Sequence, residues 1–204
     1  MGKDYFMWKC MKLIALIPRF RGLILSLFSI SGPNVKLFID SFARISYKYV
    51  IFGKSVFIGR NSRIEAVKNY QGVTFTPQIE ICSGVTIQQN LHLTCAKSIH
   101  IGKNTAIAAN VTITDIDHPY INPNIPIEHQ KLNVSSVYIG DDCKIYNNAV
   151  ILKGVTIGKH CVIGANSVVN KDVPDYSIAV GIPVKIVKQY NFNTGLWERS
   201  NNRD

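Results

Sequence analysis

The chain has 204 residues, of which 47% are hydrophobic and 18% charged. That length favours one domain with a real core, and the composition excludes a disordered chain and a long solvated coiled coil. Twenty-three Lys/Arg against 13 Asp/Glu leave a net charge of +10, which suits an anionic partner such as phosphate, lipid headgroup or nucleic acid.

In chain order, residues 1–48 form a basic amphipathic segment. It holds Lys3, Lys9, Lys12, Arg19, Arg21, Lys36, Arg44 and Lys48 against only Asp4 and Asp40. The apolar run at 22–35 is too short for a spanning helix, which needs about 20 apolar residues. Pro18 and the Arg19-Phe20-Arg21 cluster interrupt anything resembling a signal peptide. Residues 5–16 read as a basic, aromatic-rich helix. Such a helix packs on the domain or lies in a membrane interface with its cations on anionic headgroups. Five cysteines without C-x-x-C spacing give neither a disulfide framework nor a zinc knuckle, and a reducing cytoplasm fits them.

Residues 49–188 carry a period of six. Ile139, Ile145, Ile151, Ile157, Ile163 and Val169 form one aliphatic column. Cys143, Ala149, Val155, Cys161, Ser167 and Val173 form a second column of small or branched residues. Shifted copies run through Phe52, Ile58 and Ile64, then Ile81, Ile87 and Leu93, then Ile101, Ile107 and Ile113. Neither a helix nor a simple alternating strand repeats every six residues. A short strand plus a tight corner does. Three such sides make one coil, and coils stack as parallel strands about 4.8 Å apart. The frame breaks at about 117–137, where a polar, Pro-rich loop leaves the repeat. Residues 189–204 read as a C-terminal tail.

The stretch from Ile139 to Val187 resembles a known family, the hexapeptide-repeat acyltransferases. So do the Val169-Asn170-Lys171-Asp172-Val173-Pro174 and Gly181-Ile182-Pro183-Val184-Lys185 endings, and Ile113 through His118-Pro119 before the loop. The chain is similar to sugar O-acetyltransferases of the maltose, galactoside and colanic-acid type. The resemblance implies a mainly β fold, a left-handed parallel β-helix, assembled as a homotrimer. It implies acetyl-CoA as acyl donor, no metal cofactor, and a saccharide acceptor in surface-polysaccharide biosynthesis.

Site residues follow from the residues and the resemblance together. His118 stands where rigid coil meets flexible loop, a good place for a base that takes a proton from a hydroxyl. The resemblance makes it the catalytic His. Its orienting partner is open: Asp115, Asp117 or a backbone carbonyl. The resemblance puts Asn90 against the acceptor, although a corner Asn reads as well. It puts Asn147 and Ala165 along the pantetheine arm, and Lys171, Lys185 and Lys188 near the phosphates of coenzyme A. Lys144-Ile145-Tyr146 stands where the family often has Trp-Ile-Gly. Three other activities remain. One is N-acetylation of a nucleotide-linked amino sugar. Another is a non-catalytic assembly partner. The third is a zinc hydratase like the γ-class carbonic anhydrases, with His100 one coil below His118 in the same outward column.

Overall fold

A computed structural model describes residues 16–32, 34, 36–40 and 42–200. The expected helix at 5–16 lies, but for its last residue, outside them. Within them a helix runs over 16–26 and closes one end of a parallel β-helix. It lies close: a Cβ on Gly22 would run into the Leu37 carbonyl. Buried Ser26 fixes the exit from this helix, donating to Leu23 O at 2.8 Å and accepting from Asn34 N at 2.8 Å. Leu25 packs on the core.

Three flat faces follow. The first stacks Phe38–Ile39, Phe57–Ile58, Thr86–Ile87, Ala106–Ile107, Lys144–Ile145, Val162–Ile163 and Ser177–Val180 in parallel. The second stacks Arg44–Ile45, Arg63–Ala66, His92–Cys95, Thr112–Thr114, Val150–Ile151 and Val168–Val169. The third stacks Val50–Phe52, Gln78–Ile81, Ser98–Ile101, Val137–Ile139 and Thr156–Ile157, with Val173 bridging to Ile157. The period of six is the period of the faces. Ile139, Ile145, Ile151, Ile157, Ile163 and Val169 are all fully buried, each stacking on its counterpart one coil away. Each such side chain contributes roughly 1.5–3 kcal/mol on leaving water. Cys143 and Cys161 sit inside as expected, their thiols donating to Gly158 O and Pro174 O at 3.1 Å each.

Corners need left-handed backbone. Asn90, Asn110, Asn148 and Asn166 have φ of 63°, 61°, 61° and 58° at the corner between the first and second faces. Asn tolerates this conformation better than most residues. Their amides form a ladder, Asn90 Nδ2 to Asn110 Oδ1 at 2.8 Å, Asn110 to Asn148 at 3.0 Å and Asn148 to Asn166 at 2.9 Å.

Two expected boundaries move. The β-helix starts at Phe38–Ile39, ahead of residue 49, because those residues already pair with Phe57–Ile58. The expected tail is a hairpin. Lys185–Asn191 returns antiparallel on Ser177–Val180, and Leu196–Arg199 pairs with it in turn.

Two excursions leave from the corner between the second and third faces. The first is a hairpin, Asn69–Tyr70 with Val73–Thr74, turned by Gln71 and Gly72 at φ 45° and 75°. A two-residue turn with both φ positive matches the twist of a hairpin. The second is the expected loop, clasped at its base by Ile116–Asp117 against Asn133–Val134.

Candidate active site

The loop is anchored by Asp115, which is fully buried. Its carboxylate accepts from Ala96 N and Lys97 N at 2.7 Å each, and the Cys95 thiol lies 3.3 Å away. Those bonds cap the widened corner one coil below. The Asp115 backbone holds both ends of the excursion, donating to Thr94 O and accepting from Ser135 N. Burial pushes the Asp115 carboxyl above its ordinary value, against the pull of the two backbone donors. Burial and the neighbouring Asp115 push the Cys95 thiol strongly up, so it stays a thiol.

His118 emerges three residues later, with 38% of its side chain exposed. Tyr70, on the hairpin, packs edge-on against it with ring centroids 5.4 Å apart. The Tyr70 hydroxyl lies 3.4 Å from His118 Nδ1, 2.5 Å from Glu128 O and 2.9 Å from Glu128 Oε2. A phenol has one proton to give, and Glu128 offers only acceptors there. Tyr70 therefore donates to Glu128 and accepts from Nδ1–H. Nε2 is left with its lone pair and no hydrogen-bond partner among the described residues. Desolvation and the Glu128 carboxyl push the Tyr70 phenol above its ordinary value, which keeps it a donor. Gln71 Nε2 adds a bond to Glu128 O at 2.9 Å.

Neither aspartate expected beside His118 reaches its ring. Asp115 is beneath the loop holding backbone, and Asp117 turns to Lys153 at 3.8 Å. The groups at Nδ1 are Tyr70 and, behind it, Glu128. The sequence reading named neither, because both lie in excursions that carry no period. The gap in the frame between Ile64 and Ile81 was the available signal.

The remaining expected residues fall on two edges. Lys171 follows Val169 on the same edge as His118. Asn147 and Ala165 are exposed at the corner between the first and second faces, as is Asn90, whose amide is engaged in the ladder. Lys185 and Lys188 are exposed on the returning strand of the first face. One chain thus brings His118 and Lys171 to one edge and does not bring Asn90, Asn147 or Ala165 to it. The stacked histidines do not form. His118 has left the coil by its loop, and the neighbours of His100 in register are Glu80 and Tyr138.

Residues 136–171 match the bacterial transferase hexapeptide (six repeats) family. A protein of Escherichia coli K12, named as the lipopolysaccharide biosynthesis O-acetyl transferase WbbJ, is 35% identical over 156 residues. That alignment covers 73% of this chain and 76% of the relative. The chain belongs to the hexapeptide-repeat acyltransferases. Two solved structures share the acyltransferase's fold. The hexapeptide-repeat acetyltransferase VCA0836 of Vibrio cholerae, complexed with acetyl coenzyme A, is 26% identical with a TM-score of 0.57, over 70% of this chain and 71% of that one. The Bacillus cereus N-acyltransferase AntD, with dTDP and 3-hydroxybutyryl-CoA, is 19% identical with a TM-score of 0.64, over 77% and 81%. The β-helix of this acyltransferase is accordingly left-handed, an exception to the right-handed rule for parallel crossovers.

Proposed function

We propose that this acyltransferase moves an acetyl group from acetyl-CoA to a sugar hydroxyl of a surface polysaccharide, with His118 as general base. The observation that carries the reading is the Glu128–Tyr70–His118 chain, which fixes one imidazole proton on Nδ1 and turns the other nitrogen outward as a base. Nε2 takes the hydroxyl proton as the sugar oxygen attacks the thioester carbon. The tetrahedral adduct collapses, the C–S bond breaks, and the imidazolium returns the proton to the departing thiolate. The name of the Escherichia coli relative and the acetyl coenzyme A in the Vibrio cholerae structure support this choice of acceptor and donor.

Lys171, Lys185 and Lys188 meet the coenzyme's phosphates, and Asn147 and Ala165 line its pantetheine arm. Asn90 lies toward the acceptor. The separation of Asn90, Asn147 and Ala165 from His118, on another edge of the prism, supports a homotrimer in which one subunit's Asn edge faces its neighbour's loop. The loop's exposed Tyr120, Ile121 and Ile127 are the apolar surface such a contact would cover.

The deciding experiment follows thiol release from acetyl-CoA with matched acceptors: hexoses, oligosaccharide units and nucleotide-linked amino sugars. Turnover on hydroxyl acceptors is expected. Turnover confined to amino acceptors would make the enzyme an N-acetyltransferase, and no turnover or coenzyme A binding would make it an assembly partner. Y70F and E128Q are each expected to lower kcat about 2–10-fold, the worth of one hydrogen bond, with KM for acetyl-CoA unchanged. The double variant should lose little more than either single one, because the two act in one chain. Additive losses would separate them from His118.

The same enzyme works at the inner face of the plasma membrane. No helix among the described residues is long and apolar enough to cross a membrane. The 16–26 helix and its exit instead expose Ile17, Phe20, Ile24, Leu27 and Phe28 beside Arg19 and Arg21. Lys3, Lys9 and Lys12 add charge ahead of it. F20S/F28S is expected to weaken binding to anionic vesicles more than about tenfold, since each buried Phe contributes roughly 1.5–3 kcal/mol. Flotation equal to wild type would remove the membrane from the account.

A further inference from the structure

We propose that Glu80, Cys82 and His100 form a binding site for a zinc-class divalent cation on the outer side of the third face. The site is independent of acyl transfer. Glu80 and His100 are direct neighbours in register, and Ile79, Ile81, Ile99 and Ile101 point into the core. The alternation of a strand therefore sends both polar side chains out together. Cys82 follows at the end of its strand, half-buried, with its thiol turned back over the imidazole.

The imidazole is held in the manner of a metal ligand. Glu80 Oε2 lies 2.9 Å from His100 Nδ1 and can only accept there when ionised, so the ring proton sits on Nδ1. Tyr138, from the next coil, stacks on the ring at 4.6 Å and 4° and fixes its rotation. Cys82 Sγ lies 3.9 Å from His100 Nε2 and 3.8 Å from Glu80 Oε1. One ligand atom from each of the three residues lies within 4.8 Å of the others. Tetrahedral zinc, with Zn–S of about 2.3 Å and Zn–N of about 2.0 Å, sets those two atoms about 3.5 Å apart. Turning the Cys82 side chain to bring its sulfur onto the Nε2 side of the ring and closing the 3.9 Å separation meets that spacing.

A carboxylate behind a ligating histidine fixes its tautomer and raises its basicity. Sulfur, imidazole and carboxylate together favour zinc over magnesium or calcium. On binding, the Cys82 S–H bond gives its proton to solvent and an S–metal bond forms. Cys82 and His100 are then the direct ligands, Glu80 stays on Nδ1–H as the outer partner, and water fills the remaining positions. Cys95, Cys143 and Cys161 are buried and face carbonyls or Asp115, so they do not compete. His118 leaves from the corner where the third-face strands begin, whereas Cys82 lies where they end. The metal therefore clamps Gln78–Ile81 to Ser98–Ile101 and takes no part in catalysis.

The test uses the tag-free full chain, reduced and stripped with a chelator. Cobalt(II) is titrated in, and zinc is measured by competition with a chromophoric chelator. One equivalent per chain, a thiolate-to-cobalt charge-transfer band and one proton released per zinc are expected. C82S and H100A should abolish the stoichiometric binding. E80Q should weaken it about 10–100-fold. C10S should bind as wild type does. No stoichiometric metal, a cobalt spectrum without the thiolate band, or wild-type zinc affinity in C82S would each overturn the site.

Discussion

Alanine in place of His118 is expected to lower kcat by about 10²–10⁴-fold, the usual contribution of a positioned general base. That range corresponds to roughly 3–5 kcal/mol of barrier. The fold should be untouched, because the ring is more than a third exposed and belongs to an excursion outside the stacked faces. KM for acetyl-CoA should also hold, since none of the coenzyme-binding residues proposed above touches the imidazole. H118N is the sharper variant. Asparagine can still donate to Tyr70 but cannot accept a full proton, so it should lose as much kcat as alanine. Steady-state thiol release, with thermal melting as the folding control, separates the outcomes. A kcat near wild type in either variant would take His118 out of the chemistry.

The second large effect is on stability. D115A should cost about 2–5 kcal/mol, because it strands the buried Ala96 N–H and the partly buried Lys97 N–H, at about 1–3 kcal/mol each. In a chain of this size that lowers Tm by about 5–15 °C. The loop loses its anchor in the same stroke, so kcat should fall while the coenzyme residues stay in place. The pH dependence has a definite sign. The folded-state carboxyl lies above its ordinary value through burial, so ionising it costs the folded protein. That contribution is complete below the ordinary carboxylate range and is lost as pH rises through the raised value. The Tm gap between wild type and D115A should therefore be widest in acid and narrow toward neutrality. Melting across an acid-to-neutral series checks this, and a gap that widens upward would contradict it.

The stacked faces were legible in the sequence because a coil forces the same demand on every sixth residue. Ile139 through Val169 met it without a break. The first coil was hidden by one extra residue. The turn at Tyr47–Tyr49 puts Phe52, not Ile51, inward, so the step from Ile45 is seven. The terminal hairpin was hidden because antiparallel return is not part of the period, although Asn193-Thr194-Gly195 between Tyr190 and Trp197 is turn chemistry. The partners of His118 were hidden more deeply. Tyr70 is 48 residues from His118 and 58 from Glu128, and no spacing rule links positions that meet only because two excursions share a corner. His118 itself was legible, because it marks where the period stops.

Both excursions project from one edge, and their coils close beneath them in unbroken register. Val67 still donates to Cys95 O, and Ser98 still pairs with Gln78. Length added there is carried outside the hydrogen-bonded ladder, so it is nearly free of folding cost. Hairpin and loop can thus differ in length and sequence between relatives while the prism beneath them stays as it is.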